Sequence, residues 1–154
     1  MNRQHGVVLL LALVLSMLLG LLAASALRDA LVETRMTGYL SEGLLALGQA
    51  EATLLAGAGE LERAPPERCS ACLPPAQPHD LVGQWQRTQT GFFQLQNLGD
   101  SDRAAHMPQG QQVTLYRVTA VSLQTRPRQV LEAVYAVAGD TTRRITWRQR
   151  LRGD

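Results

Sequence analysis

The spacing of apolar residues changes character twice along this chain. From Val7 to Leu27 run twenty-one residues without a charge, mostly Leu, Val and Ala, preceded by Arg3, His5 and Gly6 and closed by Arg28 and Asp29. A hydrocarbon core of roughly 30 Å needs about 20 apolar residues in a helix, so this segment is long enough to span a bilayer. Ser16, Gly20 and Ser25 do not break it, because small residues are tolerated in membrane helices. Past Arg28 the pattern turns amphipathic instead of stopping. There is no proline before Pro65, and Leu27, Leu31, Tyr39, Leu40, Leu44, Leu45 and Leu47 recur at roughly helical spacing, continued by Ala46, Ala50, Ala52, Leu54 and Leu55. Gly38, Gly43 and Gly48 each cost about 1 kcal/mol of helix propensity against Ala and mark bends or close contacts. Gly57 and Gly59 are expected to end the helix, with Pro65-Pro66 excluding its continuation. The prediction is one helix from about Val7 to Ala56, roughly 75 Å at 1.5 Å per residue.

The second change comes after the helix. Residues 57–80 read as a Pro/Cys-rich loop: five of the seven prolines fall there, around Cys69 and Cys72. From 81 onward the period shortens toward two. Phe92, Phe93 and Leu95 suggest a short strand, Asn97 to Gly110 a long polar loop, and Trp85 a contact with the helix. Val113–Leu123 and Gln129–Val137 alternate with high β-branched content, and Arg144–Arg148 offers a further short strand around Ile145 and Trp147. Short connections make consecutive strands antiparallel. One sheet face covering the amphipathic half of the helix gives an α+β layer arrangement. The division is thus 1–6, 7–27, 28–56, 57–80 and a β-rich part at 81–154.

Composition narrows the function classes. The chain has 154 residues and a formal charge of +2, with fifteen arginines and no lysine. About 125 residues after the apolar run suffice for one modest domain. So small an excess of positive charge does not imply nucleic acid. Arg143, Arg144, Arg148, Arg150 and Arg152 crowd the carboxy terminus, reading as a solvated edge or as a surface for an acidic partner. No nucleophile elbow, phosphate-binding glycine loop or HExxH is present, so no catalytic activity and no cofactor are expected. Asp80, Asp100 and Asp102 read as solvated loop carboxylates. The Cys69-x-x-Cys72 pair has three readings: a redox couple, half a zinc site completed by His79 and His106, or a structural disulfide in an oxidising compartment. Its proline setting favours the last, with no metal.

The apolar segment itself allows three fates: a cleaved signal peptide, a permanent anchor, or a helix retained after removal of a short leader at Gly6. Arg3-Gln4-His5-Gly6-Val7-Val8-Leu9-Leu10, followed by Glu33-Thr34-Arg35-Met36-Thr37-Gly38 and Gln49-Ala50-Glu51-Ala52-Thr53-Leu54, resembles the PilX group of type IV pilus assembly proteins, which are minor pilins. Thr37 and Tyr39 depart from the usual Ala and Asn of that group. The resemblance covers residues 3–56 and extends suggestively to Tyr116-Arg117-Val118-Thr119-Ala120.

That resemblance implies a pilin-like fold, with a long helix, half transmembrane and half amphipathic, on a small antiparallel sheet. It implies that a prepilin peptidase cuts after Gly6 and N-methylates Val7. Leu11 stands where most pilins carry a glutamate, which is tolerable in an apolar setting only with a partner. Its absence points to a special place such as the pilus tip or an initiation complex. The implied partners are other minor pilins, the major pilin, the inner-membrane assembly platform and, before assembly, membrane lipid. The implied site is a single-pass bacterial inner-membrane protein with its carboxy-terminal part in the periplasm, supporting pilus assembly, twitching motility and adhesion. A type II secretion minor pseudopilin, or an unprocessed membrane-anchored periplasmic scaffold, would share much of the pattern.

Overall fold

A computed structural model describes residues 3–124 and 126–153. Met1 and Asn2 of the expected leader lie outside that range. The elements, in order, are helix α1 (Arg3–Arg63), a single 3-10 turn (Pro78–Asp80), and strands β1 (Gln86–Arg87), β2 (Gly91–Ser101), β3 (Val113–Ser122), β4 (Val130–Ala138) and β5 (Thr141–Arg150). The chain divides into two compact units, one ending at Ser41 and one beginning at Glu42.

The first unit is helix alone. Its large apolar residues are all exposed, from Val7 through Leu22 to Val32 and Met36. Hydroxyls within it turn back onto the helix: Ser16 Oγ donates to Ala12 O at 2.8 Å and Ser25 Oγ to Leu22 O at 2.9 Å. Those bonds satisfy polar atoms without a partner from outside, which an apolar solvent requires.

In the second unit the remainder of α1 packs on a five-stranded antiparallel sheet of order β1-β2-β3-β4-β5, an α+β arrangement. The core joins Ala50, Leu54 and Leu61 of the helix to Tyr116, Val118 and Ala120 of β3 and Leu131, Ala133 and Tyr135 of β4. Alternation along β3 and β4 sends these residues to one face, as a strand's period of two dictates.

Several expectations are corrected. Gly57 and Gly59 do not end the helix, which runs on to Arg63. Gly57 is instead a point of close approach: a Cβ there would lie 2.7 Å from Val118 Cγ1 and 3.1 Å from Phe93 Cδ2. Of the leucines at helical spacing, Leu40, Leu44 and Leu45 are exposed, whereas Leu47 packs half-buried against the core and Leu54 is buried in it. Contact is made by Ala46, Ala50, Thr53, Leu54, Gly57 and Leu61, all buried and spaced for one helical face. Small side chains win that face because they let the helix axis come close to the sheet. Gly38, Gly43 and Gly48 have no atom outside their own helix within 4 Å of a built Cβ.

β2 continues through Asn97 to Ser101, shortening the expected loop by five residues, with a register shift between Asn97 and Gly99. That bulge absorbs the glycine, whose φ of 96° is left-handed. Trp85 turns to its own loop, donating from Nε1 to Val82 O at 3.2 Å.

Candidate functional site

The proline-rich segment is not a free loop. It lies as a strap across the sheet face opposite the helix, held by donors from three strands. Gln96 Nε2 of β2 donates to Leu73 O at 2.8 Å, Arg117 Nη1 of β3 to Cys72 O at 3.0 Å, and Arg150 Nη1 of β5 to Pro75 O at 3.0 Å. Prolines have no N–H and cannot enter a ladder, but their segment still carries carbonyls to satisfy. Long polar side chains on the sheet supply the donors. At its start the strap is pinned to Asn97: Cys69 N donates to Asn97 O at 3.1 Å and Asn97 Nδ2 to Pro66 O at 3.1 Å. Cys69 and Cys72 are joined by a disulfide, with their Cα atoms 5.5 Å apart. Among the described residues no three His, Cys, Asp or Glu gather in a metal-binding group.

Beneath the strap sits Glu132, only 5% exposed. Its carboxylate meets Arg148 at 2.7 Å, Arg117 at 3.8 Å and Arg150 at 3.9 Å. Register explains the group: Arg148 is directly opposite Glu132, and Arg150 lies two residues further along β5 on the same face. The carboxy-terminal arginines are therefore not simply a solvated edge. Arg150 is buried, and Arg152 meets Asp80 at 3.3 Å. Arg143 and Arg144 alone of the five match the exposed-edge expectation without a carboxylate beside them among the described residues. Asp100 accepts from Thr114 Oγ1 at 2.7 Å across the β2–β3 pair.

At the strap's far end His79 is buried, and its backbone carbonyl accepts from Arg128 Nη1 at 2.6 Å. Burial first, then the charges of Arg152, Arg150 and Arg128, lower its pKa below the ordinary 6.5; Asp80 opposes them. The folded state thus binds fewer protons here than the unfolded chain. His79 is expected to lower stability progressively as pH falls below 6.5 toward its depressed value, with no such loss above 6.5. Denaturant midpoints measured across that range should show this acid-side loss in the wild type and a smaller one in His79→Gln.

The other residues singled out from sequence divide by unit. Gly6, Val7 and Leu11 are helical and exposed, with Leu11 presenting methyl groups like its neighbours. Glu33, Arg35, Met36 and Gly38 are exposed on the helix, where Glu33 O accepts from Thr37 Oγ1 at 2.9 Å. Gln49 and Ala50 have structural work: Gln49 Oε1 accepts from Gln124 N at 2.9 Å in the β3–β4 connection, and Ala50 is fully buried. Glu51 faces solvent. Sequence reasoning missed Glu132 and the strap. The available signal was a lone carboxylate inside the apolar run Val130-Leu131-Glu132-Ala133-Val134, which only a partnered site explains.

The helix from Gly6 onward is long and apolar enough to cross a membrane. Compared with family models, with curated proteins and with solved structures, the chain matches none.

Proposed function

We propose that this protein is a minor pilin similar to the PilX group, working in pilus assembly and not in catalysis. The observation that carries the reading is α1 itself. One unbroken helix has a uniformly exposed apolar portion, Val7 to Leu27, and a later portion seated by small residues on an antiparallel sheet. An apolar helix with no covering in its own chain needs lipid or other helices around it. A subunit stored in the membrane and then drawn into a filament meets both environments in turn.

On this reading the leader through Gly6 lies on the cytoplasmic side and is removed by a prepilin peptidase, which then methylates Val7. The second unit is periplasmic, where the Cys69–Cys72 bond is stable. Leu11 carries no carboxylate to pair with another subunit's amino terminus, which suits a position at the tip or in a priming complex with other minor pilins on the inner-membrane platform. Twitching motility and adhesion follow from assembled pili.

The test is mass spectrometry of the mature chain from cells that make pili. A first residue Val7 bearing an N-methyl group is expected, together with failure of processing in Gly6→Val. A chain that still begins at Met1, or one that begins after Leu27, would overturn the reading.

A further inference from the structure

The strap's far end, the β3–β4 connection and the end of β5 enclose a surface cavity of about 360 Å³. His79, Arg126, Arg128, Gln149, Arg150 and Arg152 are among its lining residues. Four guanidinium groups converge there from two separate stretches of chain, with His79 from a third. Two are partly committed. Arg152 meets Asp80 at 3.3 Å, and Arg150 donates to Pro75 O at 3.0 Å and lies 3.9 Å from Glu132.

Arg126 and Arg128 are not ion-paired among the described residues. Arg126 is exposed. Arg128 is fixed by its bond to His79 O, while its Nε is buried with no hydrogen-bond partner among the described residues. Gln149 adds an amide, although its Nε2 already donates to Gln129 Oε1 at 2.6 Å. Burial first, and then the charges of Arg152, Arg150 and Arg128, hold the imidazole of His79 toward its neutral form.

We propose that this cavity is a binding site for a small oxyanion, a phosphate or carboxylate group carried on a compact molecule. Planar guanidinium forks match both groups through paired N–H donors. The volume lies near the lower end of the roughly 300–1,000 Å³ typical of small-molecule sites, which suits one anionic group with a short organic body. The site does not depend on the minor-pilin reading, since every residue in it belongs to the second unit.

The experiment titrates the full-length chain in detergent micelles with inorganic phosphate and, separately, with citrate at fixed ionic strength. Binding is followed by calorimetry and by the NMR titration of His79. The expected result is a Kd on the order of 1 mM or tighter for at least one anion. His79 should titrate at higher pH when the anion is bound, because the anion offsets Arg128, Arg150 and Arg152 and adds to Asp80. Affinity should fall at least several-fold in Arg126→Gln, a substitution at an exposed side chain that leaves the fold intact, and further in Arg128→Gln. The tighter of the two anions identifies the group, phosphate or carboxylate. Absence of binding by both anions, or binding that Arg126→Gln and Arg128→Gln leave unchanged with His79 unmoved, would overturn the proposal.

Discussion

Replacing Glu132 by Ala is expected to lower the unfolding free energy by about 3–5 kcal/mol, the usual cost of leaving buried charge without its partner. The three arginines around it differ in what they lose. Arg150 and Arg117 have side chains only 8% and 15% exposed, so each keeps a desolvated positive charge once the carboxylate is gone. Arg148 makes the shortest contact, at 2.7 Å, yet its side chain is 59% exposed and water can take over. Distance would rank Arg148 first; burial ranks it last. Arg148→Ala is therefore expected to cost no more than about 1 kcal/mol. Denaturant titration of the intact chain in micelles measures both. Glu132→Ala should also speed proteolysis of the strap, because Arg117 and Arg150, which hold Cys72 O and Pro75 O, lose the charge that positions them. Equal destabilisation by Glu132→Ala and Arg148→Ala would show that the exposed pair, and not the buried charge, carries the energy.

The strap explains where sequence reading stopped. Strands β3 and β4 were legible, because alternation of β-branched and aromatic residues is a local property with a period of two. The helix was legible for the same reason, through its unbroken pattern before Pro65. Its packed face was legible only in part. Apolar spacing includes Ala46, Ala50 and Leu54, which are buried, but equally Leu40, Leu44 and Leu45, which are exposed, and only the sheet's position reveals that close approach selects the first set. Gly57 was misread by the same route. A glycine late in a helix signals a cap on local grounds, but here it makes room for Val118 and Phe93, contacts about 60 and 36 residues away in sequence.

The strap was harder still. Pro-rich composition excludes helix and central strand but does not say what the segment lies against. Gln96, Arg117 and Arg150 are polar residues on strands, and nothing within their own strands marks them as donors to a distant segment. Glu132 was the one residue whose own neighbourhood held the warning. The candidate anion site has the same origin, assembled from His79, Arg128 and Arg150 by tertiary packing alone.

Glycine offers the second large effect, with a sign that depends on position. In Gly91→Ala the new Cβ would collide with Val121 O and fall 2.7 Å from Thr53 Oγ1. One obstacle is backbone in the adjoining strand. The other is a fully buried hydroxyl already bonded to Thr90 Oγ1 at 2.8 Å. Neither can swing aside like the tip of a flexible side chain, so β2 must shift away from both β3 and the helix. Overpacking usually costs about 1–3 kcal/mol, and this site is expected at or above the upper end of that range. Gly48→Ala is the opposite case. It lies in the helix interior with nothing within 4 Å of the new Cβ, and should stabilise the chain by up to about 1 kcal/mol. The two variants, compared by thermal or denaturant unfolding, should move the midpoint in opposite directions. The minor-pilin proposal gives Gly48 a role: it shares the exposed side of α1 with Leu44 and Leu55, the side that proposal leaves for neighbouring helices. Gly48→Ala should then raise subunit stability while lowering recovery of the protein in sheared pili. A variant that is both more stable and normally assembled would remove that face from the filament contact.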